Sequence, residues 1–150
     1  AATSAKDACA GSDLVIEAVP EDMGLKIEVL KPLLEVLSPT AIVGTNTSSL
    51  SITELGTRLG VPDRTIGLHF FNPPPVMELV EVVRGLATSE ETLQRSLDFV
   101  KGLGKTPIVV RDVPVGEVRR HRYARGEVWP GPWSADHVLI ENAPRAERAA

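Results

Sequence analysis

Cysteine is almost absent, since Cys9 is the only one in 150 residues. A single thiol excludes an internal disulfide framework and a cysteine-based zinc cluster. Cys9 therefore reads as a small hydrophobe, buried or half-buried. Aromatic residues make up only 4% of the chain, and no apolar run approaches the length that crosses a bilayer. The opening stretch AATSAKDACAG is too polar for a secretory signal. Net charge is −4, so the basic footprint of a nucleic-acid binder is lacking. Four motifs are also missing: the Gly-x-Ser-x-Gly elbow, the Walker loop, the His-Glu-x-x-His zinc site and the Gly-x-Gly-x-x-Gly dinucleotide fingerprint. What remains is a protein with no metal, nucleic-acid or membrane signal, and cytoplasmic by default.

What is present is ordinary globular composition, with 43% hydrophobic and 24% charged residues. The apolar runs 13–19 and 41–45 read as buried parallel strands. Leu25, Ile27, Val29, Leu30, Leu33, Leu34 and Leu37 between them fit a helix that Pro32 bends or restarts. Ser51-Ile52-Thr53-Glu54 has the form of a capping box, opening a helix that Gly60 stops. Residues 65–69 and 77–83 read as two further strands, with Asn72-Pro73-Pro74-Pro75 between them. Thr88-Ser89-Glu90-Glu91 resembles a second capping box, before a helix to about Leu103 and a last strand over 106–110. Strands alternating with helices indicate an α/β domain with a mainly parallel sheet.

The composition breaks after Pro114. Six of the eleven arginines follow it, with Trp129, Trp133 and Tyr123, and no lysine occurs beyond Lys105. Residues 1–114 are thus expected to form the folded unit, and 115–150 a disordered or loosely packed tail. The acids among those arginines weigh against a nucleic-acid patch.

Candidate chemistry gathers where strands end, because ligands of open α/β sheets bind beyond the carboxyl ends of the strands. His69 closes one strand, and a histidine there can act as a general base. On a strand from Met77, Glu81 shares the face of Met77 and Leu79. An acid among apolar side chains demands a partner. Glu17 and Glu21 flank the end of the first strand, with Lys26 following, and read either as ribose-binding groups or as a solvated helix start. Thr45-Asn46-Thr47-Ser48-Ser49 is either a ligand-facing polar loop or the turn before the next helix.

Three segments together, DLVIEAVPED, GTNTSSLSITEL and GLHFFNPPPVMELVEVV, resemble the 3-hydroxyacyl-CoA dehydrogenase family over roughly residues 8–114. The resemblance implies a Rossmann-type, doubly wound domain and NAD-dependent oxidation of L-3-hydroxyacyl-CoA to 3-ketoacyl-CoA. It implies that His69 is the base and Glu81 the acid that orients it. It implies that Ser48 and Asn72 meet the substrate. Glu21, Lys26, Asn46, Ser48 and Asn72 would line the cofactor side of the cleft. Family members are also expected to dimerise through a C-terminal helical domain.

Two departures qualify the resemblance. The first βαβ unit, with its glycine-rich phosphate loop, has no counterpart in these residues, so the expected fold is a partial Rossmann-type sheet. Asp112-Val113-Pro114 is followed by Val115-Gly116-Glu117 rather than by the family's Pro-Gly-Phe-Val. Codons for Val118–Arg122 exist whose next frame reads Phe-Val-Val-Thr, so a frameshift is one reading of the tail, which the coding DNA would decide. A sheet without its first unit exposes an edge that is otherwise central, so marginal stability and self-association are expected of the isolated chain. Activity of that chain alone is not expected, and a non-catalytic remnant that kept only the fold is the alternative.

Overall fold

Side chains of a strand alternate between the two faces of its sheet, and this alternation sorts the apolar residues into two cores. The structure is a computed structural model and describes residues 4–112. Its five strands are β1 (Leu14–Glu17), β2 (Ile42–Thr45), β3 (Thr65–Phe70), β4 (Leu79–Arg84) and β5 (Thr106–Arg111), in spatial order β1-β2-β3-β4-β5. The β1–β2, β2–β3 and β4–β5 pairs are parallel, and β3–β4 is antiparallel. This is the mainly parallel α/β sheet expected, with β1 and β5 as its edges.

The helices are α1 (Ala5–Cys9), α2 (Met23–Leu30), α3 (Ile52–Leu59) and α4 (Glu90–Gly102). Val43 on one face of β2 joins Leu30, Leu33, Leu37, Leu55 and Leu59 under α2 and α3. Ile42 points the other way and joins Ile66, Leu68, Val80, Val82, Leu93 and Val100 under α4. Cys9 lies half-buried against the first cluster, as a small hydrophobe should.

Local chemistry explains most boundaries. Asp22 caps α2 by accepting from the Leu25 amide at 2.8 Å. The helix then tightens into a 3-10 segment, Lys31–Glu35, with Pro32 in its first turn, where proline's missing donor costs nothing. Ser51 caps α3 through the Glu54 amide, and Gly60 ends it at φ 80°. The capping box is only half made, because the Glu54 carboxylate pairs with Arg58 at 2.9 Å. The second expected box is shifted: Ser89 is the cap and accepts from the Thr92 amide. Thr88 instead donates to the Thr65 carbonyl and accepts from the Gly85 amide, stitching the turn to β3.

Beyond the shifted box, three features depart from the sequence reading, the first being β1, which spans Leu14–Glu17 rather than 13–19 and is a half-buried edge. Helix α1, capped by Ser4, was not anticipated in so polar a stretch. Strand β4 begins at Leu79 rather than Met77, because the Val76 and Met77 amides close a turn on the Pro73 carbonyl. The break at Pro114 and the tail's tryptophans lie outside the described residues.

Gly67 sets how closely α3 approaches the β3–β4 hairpin. A Cβ there would stand 2.7 Å from Val83 Cβ and 3.0 Å from Ile52 Cδ1. Only glycine lets Ile52 sit directly on the ladder, two residues before His69.

Candidate active site

The parallel strands β1, β2 and β3 end on the same side of the sheet. The antiparallel β4 begins on that side. Glu17, Thr45, His69 and Glu81 therefore converge there, followed by the loops 18–22, 46–51 and 71–78.

His69 and Glu81 are direct partners in the β3–β4 ladder. Opposed side chains on one face of an antiparallel pair stand close enough to touch. Here His69 Nδ1 lies 2.8 Å from Glu81 Oε2, with the side chains only 12% and 8% exposed. With Nδ1–H donated to the carboxylate, Nε2 carries the lone pair and can take a proton. The carboxylate also stabilises the ring once that proton has arrived. Phe71 packs on the imidazole at 4.8 Å between centroids. Glu81 Oε1 is buried and accepts no hydrogen bond among the described residues. Glu81 thus shares a strand face with Leu79 as parity predicted, though Met77 falls outside the strand, and its partner is His69.

A second cluster joins the ends of β1 and β2. Lys26 is fully buried, and its Nζ donates to Glu17 Oε1 at 2.9 Å, Glu17 Oε2 at 3.1 Å and the Val19 carbonyl at 3.2 Å. Glu21 Oε2 lies 3.5 Å from the same ammonium. Thr45 Oγ1 and the Val19 amide donate to Glu17 as well. Glu21 Oε1 collects five donors from the loop: the hydroxyls of Thr47, Ser48 and Ser49 and the amides of Ser48 and Ser49. Partial burial pushes the Glu21 carboxyl up, but the Thr47 hydroxyl, the Ser49 and Ser48 amides and the Ser49 hydroxyl outweigh it. The result is a fall from 4.5 to about 2.

Asn46 ties the two clusters together. Its Oδ1 accepts from the Phe70 amide at 2.8 Å, and its own amide donates to the Glu17 carbonyl. The loop beyond β2 is thereby pinned to the residue after His69. Ser48 is exposed at the tip of that loop, and Asn72 is exposed just past β3. The Asn72–Pro73 peptide is cis. Glu21, Lys26, Asn46 and Ser48 are thus gathered by hydrogen bonds at the ends of β1 and β2, while Lys26 has no exposed surface of its own.

Two anchoring residues, Lys105 and Asp112, were missed by the sequence reading, and Glu17 was read as ribose-binding or solvated rather than as an anchor. Glu17 had a signal, being a lone acid in an apolar strand, the same feature that singled out Glu81. Lys105 donates to the Pro74 and Met77 carbonyls at 2.6 and 2.8 Å and holds the proline loop against the start of β5. Asp112 accepts from the Ser51 hydroxyl and the Thr53 amide at the start of α3. Neither of these two had a signal, since their partners include backbone groups that every residue carries.

The site's polar groups suit one end of a dinucleotide. The exposed hydroxyls of Ser48 and Ser49 and the half-exposed Glu21 carboxylate offer donors and an acceptor of the kind ribose and amide groups need. No helix among the described residues is long and apolar enough to cross a membrane, and no group of His, Cys, Asp or Glu among them could hold a metal ion.

Residues 1–113 match the family model described as 3-hydroxyacyl-CoA dehydrogenase, NAD binding domain. The chain is 50% identical over 103 residues to a probable 3-hydroxybutyryl-CoA dehydrogenase of Bacillus subtilis, covering 69% of this chain and 36% of that protein. It is 45% identical over 112 residues to the mitochondrial hydroxyacyl-coenzyme A dehydrogenase of Sus scrofa, covering 75% and 36%. The crystal structure of an Escherichia coli 3-hydroxybutyryl-CoA dehydrogenase superposes with a TM-score of 0.71 at 43% identity, over 79% of this chain and 25% of that one. The chain therefore spans well under half the length of these relatives.

Proposed function

This chain belongs to the 3-hydroxyacyl-CoA dehydrogenase family, through its NAD-binding domain, and on that premise we propose that its site oxidises L-3-hydroxyacyl-CoA to 3-ketoacyl-CoA. The observation that carries the proposal is the His69–Glu81 pair, with its proton-accepting nitrogen free at the strand end. In this reading Nε2 of His69 takes the proton of the substrate's 3-hydroxyl. Glu81 fixes the ring and balances the charge it gains. Ser48 and Asn72 orient the oxygen of the 3-hydroxyl group. Glu21, Ser48 and Asn72 would line the cofactor side of the cleft, Asn46 would hold the Ser48 loop in place, and Lys26 would act through Glu21. When bound, NAD would accept the hydride that leaves C3 of the substrate.

A phosphate-cradling glycine loop is not among the 150 residues, so turnover by this chain alone is expected to be negligible. We place the reaction in the cytoplasm on the strength of the bacterial relatives, and a homodimer would form through a helical domain outside these residues.

Acetoacetyl-CoA-dependent oxidation of NADH tests the function, with the chain complemented by the glycine-loop segment of the Bacillus subtilis relative. His69→Ala is expected to lower turnover by about 10²–10⁴-fold. Turnover that survives the substitution would remove His69 from the mechanism.

A further inference from the structure

Two carboxylates share one buried ammonium at the ends of β1 and β2. Lys26 is closest to Glu17, at 2.9 and 3.1 Å, and has Glu21 at 3.5 Å. Glu17 is 3% exposed at its side chain and Lys26 0%. A buried charge must keep an opposite charge beside it, because its desolvation is otherwise uncompensated. Glu21 has a competing use, since its Oε1 anchors the Thr47–Ser49 loop through five hydrogen bonds.

We propose that Glu17 is a positioning residue: by neutralising Lys26 it leaves Glu21 free to hold the loop that carries Ser48. Without the Glu17 charge, Lys26 has only Glu21 as an anionic neighbour among the described residues. The gap of 3.5 Å is short enough for a side-chain rotation to close. Glu21 would then turn toward the ammonium, and the Ser48 and Ser49 amides would lose their acceptor. Glu17 meets neither substrate nor cofactor in this scheme. Its other bonds, from Thr45 Oγ1 and the Val19 amide, hold its own carboxylate on the Lys26 side. The consequence for catalysis rests on the function proposed above, but the loop's state does not, so the two can fail separately.

Amide hydrogen exchange on the full 150-residue chain, resolved by residue, tests the inference. Glu17→Gln is expected to speed exchange at Ser48 and Ser49 by about tenfold or more, the scale of losing charge-assisted hydrogen bonds. Exchange in β3 and β4 should change far less. Adding Lys26→Met to Glu17→Gln removes the competing ammonium, so loop protection is expected to return to the wild-type level. A merely structural ion pair would not give this selective loss and rescue. If the single variant does not fold, the charge-neutral double variant still decides. Its loop amides should be protected as in wild type, and exposed amides in a folded double variant would overturn the proposal. Unchanged Ser48 and Ser49 exchange in a folded Glu17→Gln, or acceleration spread evenly over the sheet, would overturn it equally.

Discussion

The described residues contain two buried acid–base pairs at the same end of one sheet, and they are finished differently. In Glu17–Lys26 the ammonium is bonded to both carboxylate oxygens and a backbone carbonyl, and the acid has two further donors. In His69–Glu81 a single contact of 2.8 Å is made, one carboxylate oxygen accepts nothing among the described residues, and Nε2 of the ring is left open. Distance and burial hardly separate the pairs. Spare hydrogen-bonding capacity does. A saturated pair can only hold its surroundings in place, whereas a pair with an open nitrogen can exchange a proton with a ligand.

That contrast makes unequal demands on stability. Lys26→Met strips the charge partner from a buried Glu17, and the expected cost is about 3–5 kcal/mol. Denaturant unfolding should show it as a lower midpoint with little change in slope. Substituting Glu17→Gln as well should recover much of the loss. If Lys26→Met alone were harmless, the saturated pair would not be a structural keystone and the contrast would collapse.

A smaller effect is expected from Gly67→Ala. The new Cβ meets Val83 at 2.7 Å and Ile52 at 3.0 Å, so the hairpin or α3 must shift. Overpacking of this kind costs about 1–3 kcal/mol. The His69 ring signals in an NMR spectrum should move with it, because His69 is two residues along the same strand. An unchanged midpoint would mean that α3 yields freely and does not brace the His69–Glu81 pair.

The smallest effect concerns acid. The Glu21 carboxyl lies at about 2 when folded against 4.5 when free. A lowered folded value means that the native state binds this proton less readily than the unfolded chain does. The carboxylate's contribution is therefore complete above pH 4.5 and is lost as pH falls toward 2. Its partial exposure keeps that contribution modest. Glu21→Gln should flatten this part of the stability–pH curve, and an identical acid limb in both proteins would assign the acid sensitivity elsewhere.

Much of the fold was legible because it depends on local rules. The turn at Gly60, the cap at Ser51 and the parity that pointed Glu81 inward all follow from short-range geometry. The conversion of α2 at Pro32 follows from a missing donor. The Thr88 reading failed because long-range bonds to Thr65 and Gly85 claimed a side chain that local pattern assigned to a helix cap. The same limit applies to Glu17, Lys105 and Asp112, whose partners lie 9 to 61 residues away. Lys26 was expected on the cofactor side of the cleft and is instead a wholly interior group, since a helix sequence does not say which polar position will find a carboxylate beneath it.

The pairing of His69 with Glu81 by strand register has a further consequence. A β-ladder slips by whole residues, and each step presents the opposite face of the strand. One step would put Val80 or Val82 across from the imidazole instead of the acid. Intermediate alignments do not exist, so the accuracy of the pair is quantised. Molecules of this chain should divide into those with the pair made and those without it. Loss of the pair through misfolding would then appear as a falling number of molecules that carry it, each with its geometry intact.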